Sequence, residues 1–351
     1  KSYQVRSRFI EIVRDLYLLK QRFPDKSVFD SYLLVDRVFA YVYPRNLPLG
    51  IYTIDDACKE FKEIAHRFFR EYHNYLIGDY GDSDNDFSIF WRVFCNFMKK
   101  ALGDRRLYKF QVRGVKAGLS KLAEIFRGYS QGGAHNQGLE NIDYLVITAP
   151  TGSGKTEIMA LIVVIAALTR KLIQLMHNID DRRNTPIAIL IYPRRSLAND
   201  QVSRLIYYLY VLNNELRSDE ELKSRLGDRL DSARLTLTVN YTDVRPKDEY
   251  IDAANRAIRK ERGKERIALG LRYGISAFLT EDRRCIELRF LTCPDKLVRN
   301  SGSIYPRFRL RVEEEGGEVR KVVDVDDSVV LCGDEELDFV SLTKNRVRER
   351  L

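Results

Sequence analysis

The stretch "TAPTGSGKTE", residues 148–157, decides the fold prediction. The short apolar run "DYLVIT" leads into it, and the apolar run "EIMALIVVIAAL" follows it. This order is typical of a strand, a glycine-rich turn and a helix. In such a turn, successive backbone N–H groups converge on phosphate oxygens at the helix N-terminus. The stretch therefore predicts a phosphate-binding loop that holds a nucleotide.

Each position of this loop has an expected task. Lys155 is expected to reach the β- and γ-phosphates, and the Thr156 hydroxyl is expected to hold Mg²⁺. Ala149 stands at the position of the first glycine of the pattern, and nothing in the other residues indicates a degenerate loop. The expected nucleotide-binding residues are Thr151, Gly152, Ser153, Gly154, Lys155 and Thr156.

Strand and helix signals alternate around the loop, over residues 106–243. The run "IAILIYP" indicates a second strand, "LANDQVSRLIYYLYVL" an amphipathic helix, and "LTLTVNYTD" a third strand. Such alternation predicts an α/β domain with a parallel sheet. The apolar run after the loop is expected to be buried against that sheet, because it is too apolar for an exposed helix and too short to cross a bilayer. Residues 126–141, rich in Gly, Asn and Gln, are expected to form a mobile surface loop.

The flanking regions have different patterns. Residues 1–105 are predicted to form a helical accessory domain, because apolar residues recur at helical spacing in "RFIEIVRDLYLLKQRF" and "FSIFWRVFCNFMKKAL". Residues 244–351 contain the basic helical stretch "NRAIRKERGKER" and then short β-like segments separated by turn residues. This last region is predicted to be a basic helical and β-rich element.

A short acidic segment lies between the predicted N-terminal helices. Asp82, Asp84 and Asp86 match the start of a calcium loop, but Phe87 stands where that loop needs a glycine and Val93 where it needs a bidentate Glu. The segment is therefore expected to be a solvated turn.

Composition limits the class of protein. A chain of 351 residues with 44% hydrophobic residues can form two domains with buried cores. The 31% charged residues, the lack of an 18-residue apolar run and the lack of a leader predict a cytoplasmic protein without a membrane partner. Five widely spaced cysteines without a C-x-x-C pair predict reduced thiols.

The net charge of +9 favours an anionic partner. Residues 106–241 carry 19 Lys/Arg against 13 Asp/Glu, so most of the excess lies in the segment that holds the phosphate-binding loop.

The flanks of the loop carry a resemblance to a known family. "APTGSGKTE" is followed about 40 residues later by "YPRRSLANDQ", and the two resemble motifs I and Ia of superfamily 2 helicases and translocases. They resemble especially the prokaryotic branch whose motif Ia reads Tyr-Pro-x-x-x-Leu-Ala-x-Asp-Gln. That branch includes archaeal repair helicases and the helicase subunits of DISARM and the type I-D CRISPR effector. It covers residues 107–241.

This resemblance implies a RecA-like P-loop parallel sheet in the first motor domain of an ATP-dependent DNA helicase or translocase. ATP and Mg²⁺ are the implied cofactors. Single- or double-stranded DNA is the implied partner, with RNA as an alternative, within a multi-subunit defence or repair complex.

The resemblance also gives roles to single residues. Gln111 falls at the position that recognises adenine, although a glutamine on an amphipathic helix is often only solvated. Pro193, Arg194 and Arg195 match the turn of motif Ia that contacts the backbone of one nucleic-acid strand. Guanidinium groups at a helix N-terminus form a phosphate site that ignores base identity. A basic surface turn is the alternative.

The carboxylate pair that such an ATPase needs has two candidate locations. Asp334 and Glu335 follow an apolar run, as a motif II pair would, but Gly333 interrupts the run. The favoured interpretation follows from the resemblance, because the first motor domain of this helicase branch often carries an insertion. These acids would belong to that insertion, with one half at Cys293-Pro and the other at Cys332-Gly. Motif II would then lie beyond the given sequence, and this chain would bind ATP but hardly hydrolyse it. Zinc in the insertion is not expected, because each half keeps one cysteine.

Two other functional classes stay open. The first is a P-loop ATPase that remodels proteins without nucleic acid, and the second is a non-catalytic interaction module.

Overall fold

The computed structural model describes twelve parts of the chain. They are residues 51–78, 83–130, 145–147, 154–179, 186–192, 194–240, 244–260, 267–269, 271, 277–298, 304–333 and 335–343. The first helix predicted from the sequence, "RFIEIVRDLYLLKQRF", lies outside these residues.

Four long helices form the helical region. They are α1 (Ile54–Ile77), α2 (Ser83–Leu102), α3 (Lys109–Ser130) and α4 (Lys155–Met176). Helix α1 shows how the sequence sets its own limits. The Thr53 hydroxyl accepts from the Asp56 N–H at 3.2 Å as the N-cap, and Gly78 ends the helix with a φ of 81°. The helix predicted from "FSIFWRVFCNFMKKAL" is confirmed as the body of α2.

The core of the helical region contains an aromatic cluster that comes mainly from α1 and α2, and aliphatic side chains fill the rest. Helix α2 contributes a row of stacked rings at helical spacing, and Phe69 of α1 meets Phe90 with ring centroids 5.3 Å apart. The fully buried phenylalanines are Phe61, Phe68, Phe69, Phe90, Phe94 and Phe97. Helices α1 and α2 share this core with α3 and α4, so the boundary predicted at residue 105 falls between helices of one core.

Helix α4 packs on other helices. Gly114 and Gly118 of α3 let the two helices approach closely, since a Cβ at Gly118 would lie 2.3 Å from Cδ1 of Ile162. Within the described residues the contacts of this segment are with helices, and not with the predicted sheet. The segment is also longer than predicted. Among the described helices, α4 is long and apolar enough to cross a membrane, and half of its apolar 18-residue window is buried. The core helix of a soluble domain can have the same length and composition.

Helix α5 (Arg195–Ser218) enters two cores. Val202 and Ile206 in its first half belong to the core of the β-rich region, whereas Tyr208 and Leu212 in its second half belong to the helical core. Two short elements follow, α6 (Glu220–Leu226) and a 3₁₀ helix (Gly227–Ser232). Helix α5 is thus a shared element of both regions.

The β-rich region contains one pair of parallel strands and one antiparallel sheet. In the chain, the strands of the antiparallel sheet lie between the two parallel strands. Strand β1 pairs in parallel with β8, with Leu237 opposite Val340. The antiparallel sheet has the order β2-β3-β4-β5-β6-β7. The elements in chain order are β1 (Leu237–Thr238), α7 (Lys247–Lys260), β2 (Ile267–Ala268), β3 (Ala277–Leu279), β4 (Cys285–Leu288), β5 (Arg307–Glu315), β6 (Glu318–Cys332), β7 (Glu335–Glu336) and β8 (Val340–Ser341). The β-rich character predicted from the sequence is confirmed.

The core of this region is mainly aliphatic and carries a covalent link. Tyr250 of α7 meets Phe308 of β5 with ring centroids 5.3 Å apart. A disulfide joins Cys293 to Cys332, whose Cα atoms lie 5.6 Å apart. Because the fold brings two residues 39 positions apart to this distance, the expectation of reduced thiols is wrong for this pair.

The predicted parallel sheet is reduced to the pair β1–β8 within the described residues. Residues 145–147 and 187–192, taken from the sequence as strands, form no strand. Val146 is 72% exposed and Ile191 87%. A parallel strand persists only where neighbours pair its backbone and cover both faces, and among the described residues no strand pairs with these segments.

The acidic segment is also different from the prediction. Ser83 starts helix α2, and Asp84 and Asp86 lie in its first turn, where carboxylates interact favourably with the helix dipole. Asp86 is buried, so the expected solvated turn is wrong at this residue. The predicted surface loop differs in the same way at its start, because residues 126–130 belong to α3 and the rest lie outside the described residues.

Candidate functional site

The N-terminus of helix α4 is the candidate site for phosphate groups. Gly154 is the N-cap and has a φ of 84°, in the left-handed region that favours glycine. The helix begins at Lys155, which is exposed, and Thr156 is half-buried. The first N–H groups of a helix are unpaired within it and carry the positive end of the helix dipole, which makes them an anion site. Thr151, Gly152 and Ser153 lie outside the described residues.

Gln111 lies beside this helix start. Its Nε2 donates to the Gly154 carbonyl at 2.9 Å, and its Oε1 accepts from the Tyr108 N–H at 2.8 Å. The residue is only 3% exposed, so it is not a solvated glutamine. A Cβ at position 154 would lie 2.3 Å from Gln111 Nε2, which is a second reason for glycine there. The structure thus brings together two of the predicted site residues that are 43 positions apart.

An ion pair connects the first turn of α4 to helix α5. Arg204 Nη1 donates to Glu157 Oε1 at 2.8 Å, and both side chains are partly buried. Charge-assisted hydrogen bonds of this length are stronger than neutral ones. The pair fixes α5 relative to the start of α4.

The predicted arginine corner lies on the surface at the start of α5. Arg194 is the N-cap, with an extended backbone, and Arg195 is the first helical residue; both are exposed. Asn199 Nδ2 donates to the Phe290 carbonyl at 2.6 Å and ties this end of the helix to the β-rich region. Pro193 lies outside the described residues. Exposure leaves the two guanidinium groups accessible to a large anionic partner.

One of the two candidate carboxylates is described. Glu335 starts β7, and it lies opposite Cys332 at the edge of the antiparallel sheet. Asp334 lies outside the described residues. Glu335 therefore belongs to the sheet that separates β1 from β8 in the chain, and not to the parallel pair.

A side-chain cluster that the sequence analysis did not identify lies at the opposite end of α4. His73, Asp86 and His177 meet there beside a cavity of about 340 Å³. Asp86 and His177 are 91 positions apart in sequence. No spacing rule connects such residues, so the fold alone reveals the cluster.

Comparison with known proteins gives one family. Residues 130–240 match the family described as DEAD/DEAH box helicase. This match includes the phosphate-binding loop and the arginine corner, and it supports a superfamily 2 helicase motor domain in that part of the chain. Such a domain has a RecA-like α/β fold, binds ATP with a divalent metal, and acts on nucleic acid. No curated protein and no solved structure matches the chain.

Proposed function

We propose that the protein is an ATP-dependent DNA helicase or translocase of the prokaryotic superfamily 2 branch that contains the DISARM and type I-D CRISPR helicase subunits. The observation that carries the proposal is the contact between Gln111 and Gly154 at the start of α4. In this contact the Gln111 amide, which the resemblance makes the candidate for adenine recognition, is hydrogen-bonded to the helix start that is the candidate phosphate site. RNA is the alternative partner.

The residues at this helix start fit a nucleotide. The backbone N–H groups of α4 would bind phosphate oxygens, and Lys155 would neutralise the β- and γ-phosphates. The Thr156 hydroxyl would be one ligand of Mg²⁺. Gln111 would keep Gly154 in place at this helix start. Bound ATP would supply the free energy for movement, and these residues would orient it.

The arginine corner is proposed to hold the nucleic-acid strand. Arg194 and Arg195 would contact successive phosphates together with the Pro193 turn, so binding would depend on backbone charge and not on base identity. Helix α5 carries this corner and also the Arg204 that pairs with Glu157 near the candidate ATP site. One rigid helix therefore connects the two proposed sites.

The antiparallel sheet supports the insertion interpretation of the carboxylates. The chain leaves the parallel pair after β1 and returns to it at β8, and the six antiparallel strands lie between. Glu335, and Asp334 before it, would then belong to the insertion and not to motif II. On this proposal the given chain binds ATP with little hydrolysis. A cytoplasmic location and membership of a multi-subunit defence or repair complex are part of the proposal and rest on the sequence resemblance alone.

Fluorescent mant-ATP binding tests the nucleotide site. Lys155→Ala is expected to lose most of the affinity, because it removes the cation at the β- and γ-phosphates. Lys62→Ala removes an exposed lysine of α1 and is the matched control, with no expected change. Equal affinity in the Lys155 variant and the wild type would remove the proposal. If the Lys155 variant loses its affinity for mant-ATP but still binds nucleic acid, the site for the nucleic-acid strand is separate from the ATP site.

Salt-dependent binding of single-stranded DNA tests the arginine corner. The double variant Arg194→Ala/Arg195→Ala is expected to bind more weakly and to reduce the slope of log K against log salt by about 1.4, the value for two lost phosphate contacts. Arg256→Ala/Arg259→Ala, on the exposed face of α7, is matched in charge and is expected to leave the slope unchanged. ATP binding without any salt-sensitive DNA or RNA binding would favour a protein-remodelling ATPase. Binding of neither ligand would favour an interaction module.

A further inference from the structure

Three helix ends converge on one group of metal-ligand side chains. His73 comes from the last part of α1, Asp86 from the first turn of α2, and His177 follows the last residue of α4. One ligand atom from each of the three lies within 4.8 Å of the others. Two imidazole nitrogens and one carboxylate oxygen form a common set for zinc.

The surroundings of His73 indicate a missing ligand. It is 1% exposed, and neither ring nitrogen has a hydrogen-bond partner among the described residues. Buried polar groups in proteins are nearly always paired, so an imidazole in this state needs an explanation. Its ring stacks on Phe69 and meets the His177 ring edge-on at 5.1 Å between centroids. These contacts hold the ring within the cluster.

The two carboxylate oxygens of Asp86 have different partners. Oδ1 accepts from Arg225 Nη1 at 3.1 Å, and Oδ2 lies 2.6 Å from His177 Nε2. Arg225 fixes the carboxylate from outside the cluster, as partners of metal-bound carboxylates do. The two guanidinium groups nearby, Arg225 and Arg92, are matched in charge by Glu221 and Asp219, which pair with them. The negative charge of Asp86 therefore remains available to a cation.

We propose that His73, Asp86 and His177 bind a zinc-class divalent transition metal, with water in the fourth position. Imidazole nitrogen is a good ligand for such ions and a poor one for Mg²⁺ or Ca²⁺, which prefer oxygen. The adjoining cavity of about 340 Å³ has room for the water. The site lies at the far end of α4 from the candidate ATP site and does not depend on the proposed function.

Only a small adjustment closes the site around an ion. Ligand atoms in a tetrahedral zinc site lie about 3.4 Å apart, given metal–ligand distances of about 2.0 to 2.1 Å. His177 Nε2 and Asp86 Oδ2 are closer than this, at 2.6 Å, and the ligand atoms of the cluster all lie within 4.8 Å of one another. His177 follows the last residue of its helix and is partly exposed, so its ring can adjust to the spacing of a metal site. The ion would displace the proton that His177 and Asp86 share and would give His73 its partner. Bound metal would then link α1, α2 and α4.

The test uses the whole chain, stripped with a chelator and titrated with Zn²⁺ by calorimetry and with Co²⁺ by visible spectroscopy. Wild type is expected to bind one equivalent, to give the visible spectrum of tetrahedral Co²⁺, and to melt at a higher temperature with Zn²⁺. His177→Ala is expected to lose about 100-fold or more in affinity, since even the outer partners of metal ligands contribute about 10- to 100-fold. It should also lose the Co²⁺ spectrum and the thermal shift.

His66→Ala is the matched control. His66 is a partly exposed histidine that pairs with Asp84 at 2.9 Å, outside the cluster, and its loss is expected to leave Zn²⁺ affinity unchanged. Asp86→Asn keeps the side-chain shape and is expected to weaken binding as well; if it does not fold, the partly exposed His177 variant still decides the question. Failure of wild type to bind Zn²⁺, or equal affinity in wild type and His177→Ala, would overturn the proposal. Lys155→Ala should bind Zn²⁺ normally, so this result is separable from the nucleotide test.

Discussion

The helical region and the β-rich region stabilise their interiors by different means. The helical core contains a cluster of aromatic rings, mainly from α1 and α2, among aliphatic side chains. The β-rich core is built mainly from Val and Leu on a strand ladder with a disulfide at one edge. Rings give large buried area with few rotatable bonds, and strands gain from non-local pairing that a crosslink can assist. The helical core therefore depends on side-chain packing, and the β-rich core depends more on chain connectivity.

The two regions also differ in their buried charges. In the helical region, charged residues join separate helices, as Arg92 does with Asp219 and as Arg225 does with Asp86. In the β-rich region Glu287 is paired within its own sheet, with Arg307 on the neighbouring strand. Ion pairs between helices position whole elements, so their loss is expected to act over a longer range.

The largest expected effect breaks the aromatic core. Phe94→Ala removes a fully buried ring of α2 and is expected to lower the free energy of unfolding by about 4 kcal/mol. Phe308→Ala removes a fully buried ring of β5 and is the matched change in the other region. Urea unfolding followed by far-UV circular dichroism measures both.

Hydrogen exchange then shows whether the two cores act together. Because α5 belongs to both, we expect Phe94→Ala to increase exchange in β4 and β5 as well as in α2. Increased exchange in α2 alone would show that α5 does not couple the two regions and that each region opens as an independent unit.

The next expected effect removes the crosslink of the β-rich region. Cys332→Ala opens the disulfide to Cys293 and is expected to destabilise that region by about 3 kcal/mol, because the closed loop restricts the unfolded chain. Thermal unfolding of the wild type should fall toward that of the variant when a strong reductant is present, and the variant should not respond. Cys285→Ala, a free and half-buried thiol, serves as the control. A reductant response equal in wild type and variant would contradict a role for the crosslink.

Local sequence signals predicted the elements well. The periodicity of "FSIFWRVFCNFMKKAL" located α2, and the glycine-rich loop located the start of α4. The turn residues after position 300 located the boundaries of β5 and β6. Each of these signals is contained within about 20 residues, and the backbone conformation follows from neighbours in sequence.

Contacts between distant residues were not predictable in the same way. The resemblance placed Gln111 near adenine, but nothing in the sequence indicated that its amide holds the Gly154 carbonyl. The His73 cluster and the Cys293–Cys332 disulfide likewise depend on how helices and strands pack. The apolar runs at 145–147 and 187–192 have a strand-like composition but form no strand. Composition alone does not supply the neighbouring strands that a sheet needs.

A smaller effect is expected from loss of an ion pair that joins two helices. Arg92 of α2 donates two hydrogen bonds to Asp219, the N-cap of α6, at 2.8 Å each. Arg92→Met keeps the length of the side chain and leaves a buried carboxylate unpaired. The loss is expected to be about 2 kcal/mol, below the usual value for a fully buried pair because Arg92 is 40% exposed.

The same pair predicts a pH dependence. Burial raises the pKa of Asp219, but the hydrogen bonds from Arg92 and Leu222 lower it by more, so it lies below the ordinary value of 3.8. A carboxylate with a lowered pKa in the folded state stabilises the protein above the unfolded pKa and loses that effect as pH falls. The stability difference between wild type and Arg92→Met should be constant near neutral pH and should shrink below about pH 4. A difference that grows on acidification would contradict the assignment.

The smallest effect concerns the ion pair between α4 and α5. Glu157→Gln keeps the shape of the side chain but removes its charge opposite Arg204, 2.8 Å away. We expect a loss of about 1 kcal/mol, since both side chains retain some exposure. A double-mutant cycle with Arg204→Gln isolates the pairwise interaction from other effects of each change. Coupling near zero would mean that Arg204 fixes α5 by packing alone. Coupling of the expected size would mean that charge holds the shared helix to the start of α4, so that a nucleotide bound there would act on a helix that enters both cores.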